Sequence, residues 1–80
     1  MYKNRAGNRN NFVGVKVKEL RQAMKDNVSQ RELAELFQTA GLDVDKNAVQ
    51  RIESGQRFVT DVELRAMALA LDVSFNELLG

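Results

Sequence analysis

Four side chains between positions 46 and 51 carry the chemistry of paired hydrogen-bond recognition: Lys46, Asn47, Gln50 and Arg51. At about 100° per residue they share one side of a helix with Ser54, and Ala48, Val49 and Ile52 fall on the other side. The polar side holds long amides and cations and no acid. Such groups can donate in pairs to base edges and to phosphates. The competing reading is a plain solvated helix face, although such faces usually mix Glu with Lys.

The elements that must position these groups announce themselves by their caps. Ser29 with Glu32, Thr60 with Glu63 and Ser74 with Glu77 each have the spacing of a capping box, and Asp45 can cap alone. A valine precedes each cap (Val28, Val44, Val59, Val73), and an aliphatic residue follows at the fourth helical position (Leu33, Val49, Leu64, Leu78). These pairs read as hydrophobic staples, which fix the angle at which the chain enters a helix. The pattern predicts a second helix over about 30–39, a third over 46–54, a fourth over about 61–71 and a short fifth over 75–79. Gly41 and Gly55 fall where left-handed stops are needed. A first helix is expected over about 15–25, because Val13, Val17, Leu20 and Met24 follow one stripe. No strand pattern interrupts the five, so the fold class is all-α.

Eighty residues make one small domain. A domain of this size buries only about 60% of its unfolded surface, so local signals have to agree with the core. Cysteine and histidine are both absent. The commonest general bases, nucleophiles and metal ligands are therefore missing, and neither an enzyme, a cofactor nor a metal is expected. Asp43-Val44-Asp45-Lys46-Asn47 starts like a calcium loop, but Ala48 stands where that loop needs Gly and Ser54 where it needs Glu. No run is long and apolar enough for a membrane span or signal peptide, which points to the cytoplasm. The sequon at Asn27-Val28-Ser29 then reads as chance.

The net charge of +1 hides an asymmetry. Residues 1–21 hold six cations against Glu19, a net +5, and residues 58–80 hold Arg65 against four acids, a net −3. One basic end suits a protein that meets a polyanion with one side. Residues 1–11 are polar and basic with no hydrophobic period, so residues 1–13 read as a flexible arm and 14–80 as the folded domain. The arm is either a plain disordered terminus or a strand of cations for phosphates or a minor groove.

Four segments together resemble the helix-turn-helix family of Cro and the phage repressors, the XRE family of DNA-binding transcriptional regulators. They are G-V-K-V-K-E-L-R (14–21), S-Q-R-E-L-A (29–34), A-V-Q-R-I-E-S-G-Q-R (48–57) and E-L-R-A-M-A-L-A-L-D-V-S-F-N-E-L-L (63–79). The resemblance implies a five-helix fold like that of lambda repressor, whose third helix enters the major groove of double-stranded DNA. By position, Lys46, Asn47, Gln50 and Arg51 would read bases. Gln30, Arg31 and Arg57 would bind phosphates. Arg21 and Glu53 would form a partly buried ion pair joining the first and third helices. The sequence departs from the common pattern in a longer turn over 38–43, a slightly expanded junction at 25–27, and Leu69 in place of a polar residue.

Two functions remain open at this point. One is a small regulator binding DNA as a homodimer on a palindromic operator. Val62, Ala66 and Leu69 form a second apolar stripe on the fourth helix, which makes Leu69, Phe75 and Leu79 candidate dimer contacts. Alternatively, Phe75 and Leu79 cover that stripe within one chain. The other function is a protein-interaction module, such as an antitoxin, with DNA binding secondary.

Overall fold

The computed structural model describes residues 11–24 and 27–79. Five helices follow one another: α1 (Gly14–Ala23), α2 (Gln30–Thr39), α3 (Lys46–Ser54), α4 (Asp61–Leu71) and α5 (Phe75–Leu79). The all-α class holds. Helix α3 packs against both α1 and α2, while α4 bridges α2 to α5.

The caps set the helix starts. Ser29 and Thr60 each close a full capping box, and Asp45 Oδ1 accepts from the Ala48 N–H at 2.8 Å. That bond gives Asp45 its expected capping role. The staple valines point inward: Val44 and Val59 are buried, and Val28 and Val73 pack against the core. The core itself is built from Val17, Leu33, Phe37, Val49, Ile52, Leu64, Met67 and Leu78, all essentially without solvent contact.

The longer turn between α2 and α3 is tied at several points. The Leu42 N–H donates to Phe37 O, and Gln38 Nε2 donates to Val44 O at 2.7 Å. Leu42 and Val44 are buried. Gly41 takes φ +95°, a value that a side chain would strain. The extra residues thus hang from the core instead of forming a free loop, and α3 starts from a fixed point.

Helix α1 differs from its expected bounds at both ends. It starts at Gly14, with no side-chain cap at Val13, and stops at Ala23 because Met24 is extended. Lys25 lies outside the described residues. The expected arm over 1–13 includes three described residues, 11–13. Asn11 and Val13 are completely buried, so both belong to the folded unit. Residues 1–10, where the rest of the arm was placed, lie outside the described residues, as does Gly80.

Candidate nucleic-acid interface

Helix α3 buries Ala48, Val49 and Ile52 and exposes Lys46, Asn47, Gln50 and Arg51. The apolar side anchors the helix, so the polar side is held as a surface. Asn47, Gln50 and Arg51 line one polar cleft together with Ser54 and Gln56. Lys46 stands apart from them. It lines a larger cleft with Gln30 and Arg31, at the start of α2. The positive end of the α2 dipole favours an anion there.

One carboxylate fixes the relation of α3 to the other helices. Glu53 is buried on α3 and accepts from Arg21 Nε at 2.7 Å and from Arg21 Nη2 at 3.1 Å. Arg21 Nη1 donates in turn to Val28 O at 2.9 Å. Glu53 Oε1 also accepts from Gln30 Nε2 at 3.0 Å. The network therefore joins α1, the entry to α2, and α3. It also orients Gln30, whose amide keeps one N–H for a further partner.

Arg57 follows the left-handed stop at Gly55, which has φ +84°. Its guanidinium is engaged from within the chain. Nη2 donates to Glu63 Oε2 at 2.9 Å, and Nη1 lies 3.4 Å from Glu63 Oε1. Glu63 Oε1 also accepts from the Thr60 N–H, completing the cap of α4. Burial pushes the Glu63 carboxyl up, but the hydrogen bonds from Arg57 and the Thr60 N–H outweigh it, and the net shift is downward.

Comparison with known proteins places this arrangement. The helix-turn-helix family profile matches residues 17–78. The chain belongs to the XRE-type helix-turn-helix family. It is similar to the restriction-modification controller protein C.AhdI from Aeromonas hydrophila, with 39% identity and a TM-score of 0.67 over 82% of this chain and 89% of that one. No curated protein matches it. This helix-turn-helix protein is accordingly a DNA-binding transcriptional regulator.

Two residues of the regulator carry more than the sequence suggested. Glu63 reads as a capping residue, and nothing local reveals its grip on Arg57. Asn11 reads as part of a polar arm. Its buried amide donates to Ile52 O at 3.0 Å and to Arg57 O at 2.8 Å, and its Oδ1 accepts from the Gly14 N–H at 2.8 Å. It thus ties the end of α3 and the Arg57 loop to the start of α1. The one available signal is an Asn two residues before a core valine, which is too common to decide anything.

The candidate dimer residues divide. Phe75 and Leu79 pack against the core, with the Arg65 guanidinium 5.2 Å from the Phe75 ring centre. Val62 and Leu69 are each 72% exposed, so the fifth helix does not cover the stripe within one chain. Leu69 instead lines a shallow groove with Leu36, Thr39, Ala40 and Ala70. Among the described residues no group of acids could hold a metal, and no helix is long and apolar enough to cross a membrane.

Proposed function

We propose that this regulator binds double-stranded DNA sequence-specifically, with α3 in the major groove. The observation that carries the reading is the division of α3 into a buried apolar side and an exposed acid-free side. Gln50 and Asn47 have the amide geometry for adenine, and Arg51 that for guanine. Lys46, beside Gln30 and Arg31, suits a phosphate or a base at the groove edge. Arg57 serves as a phosphate contact that first has to leave or share Glu63.

The exposed Val62 and Leu69 support a homodimer assembled on a palindromic operator, with half-sites about 34 Å apart. Likeness to a restriction-modification controller supports the same kind of gene as the target of regulation. Selection of bound sites from random duplex DNA tests both points, reporting motif and half-site spacing. Gln50→Ala and Arg51→Ala should each relax preference at one base pair, by about 1–3 kcal/mol. Unchanged preference in both removes α3 from this role. A single non-palindromic half-site, with Leu69→Lys binding as the parent does, defeats the dimer.

A further inference from the structure

Helix α1 brings two cations to the side facing α3, and they have different fates. Arg21 makes three hydrogen bonds within the chain and carries the charge that offsets Glu53. Lys18, one turn earlier, is exposed and makes no ion pair among the described residues. It lines a small cleft with Gln30, Gln50, Glu53 and Ser54, so three helices meet around it. Glu53 is the one acid of that lining, and it is buried and held by Arg21 and Gln30. Lys18 therefore stands beside outward residues of α3 and is not held in an ion pair among the described residues.

We propose that Lys18 binds a backbone phosphate of the DNA strand flanking the groove that α3 enters. The inference rests on the reading of α3 given above. A lysine ammonium on a flexible stem acts as a point charge, which suits a phosphodiester oxygen better than a patterned base edge. Gln30 shares the cleft, is oriented by Glu53, and keeps a second amide N–H for the same anion. The helix supplies its own control. Lys16 lies about 200° away around α1, on the other side, and carries the same charge.

The experiment compares Lys18→Gln, Lys16→Gln and the parent on two duplexes, one carrying the selected operator and one unrelated. Glutamine keeps the first two methylenes of the stem and removes the charge, and thermal melts establish that each variant is folded. Lys18→Gln should weaken binding to both duplexes by a similar factor. Its slope of log affinity against log salt should flatten by about 0.9, which is about 3.5-fold between about 50 and about 200 mM. Lys16→Gln should keep the parental slope. Equal effects of the two variants overturn the proposal, because they would reflect overall charge alone. A parental slope in Lys18→Gln, or a loss confined to one base pair, overturns it as well. A parent that binds neither duplex refutes the reading of α3 itself, a different result from a parent that binds with Lys18 silent.

Discussion

Arg21–Glu53 and Arg57–Glu63 close at 2.7 and 2.9 Å, each with two guanidinium-to-carboxylate approaches. Their surroundings differ. The side chains of the first pair are 13% and 3% exposed, and those of the second 29% and 22%. The inner pair recruits Gln30 and Val28 O and joins three segments. The outer pair joins a loop to the helix that follows it. Burial raises the cost of separating two charges, because each loses its partner in a place where water cannot replace it. Near the surface water can, and an exposed pair contributes at most about 1 kcal/mol. The same two residue types thus make a structural tie in one place and an exchangeable contact in the other.

Glu53→Gln is the strongest way to break the contrast. It leaves the Arg21 guanidinium mostly buried with no counter-charge. The expected loss is about 3–5 kcal/mol. Domains of this size have only about 5–15 kcal/mol to lose, so the melting point should fall by about 12–40 °C. A thermal melt superimposable on the parent would show that the inner pair is no more structural than the outer one.

The inner pair could be anticipated and the outer one could not. Arg21 sits at the edge of the α1 stripe and Glu53 follows the apolar face of α3, in segments with a family resemblance. The helix starts were legible for a different reason: a capping box lies within four residues, so its partners are neighbours in sequence. Arg57 and Glu63 are only six residues apart, yet the pair escapes a local reading. Capping already accounts for Glu63, and the turn that folds Arg57 back depends on how α4 leaves the core. Asn11 was hidden more deeply, since its partners Ile52 and Arg57 are 41 and 46 residues away. A lone Asn in a polar stretch gives no sign of such contacts. The early end of α1 has a similar cause: its apolar stripe runs on to Met24, but the extended backbone there ends the helix.

Asn11 touches both halves of the comparison, since it holds the carbonyl next to Glu53 and that of Arg57 itself. Asn11→Ala leaves buried backbone groups without their amide partner. An orphaned buried group costs about 1–3 kcal/mol, so this variant should fall between the two pairs in effect. Hydrogen exchange at Gly14 gives a local measure, because its N–H donates to Asn11 Oδ1. Unaltered exchange at Gly14 and an unchanged melt would mean that water replaces the side chain.

Glu63→Gln should have the smallest effect on stability and sharpens the contrast most. Glutamine at the third helical position can still complete the capping box with Thr60, so the start of α4 is kept while the charge opposite Arg57 is removed. At neutral pH the melt should move by no more than the equivalent of about 1 kcal/mol. The pH dependence has a definite sign. The folded carboxyl of Glu63 titrates below its ordinary value of 4.5, so its contribution is present above that pH and is lost as pH falls through the folded value. The gap between parent and Glu63→Gln should therefore close on acidification below 4.5. A gap that widens there would assign the downward shift to some other group. On DNA the variant separates two roles for the same carboxylate. If Glu63 competes with phosphate for Arg57, Glu63→Gln binds every duplex more tightly and with a steeper salt dependence, while Arg57→Ala binds every duplex more weakly. Adding Glu63→Gln to Arg57→Ala should then change nothing further. Should Glu63→Gln instead weaken binding as Arg57→Ala does, the carboxylate orients the arginine toward DNA, and the outer pair is as fixed in its purpose as the inner one.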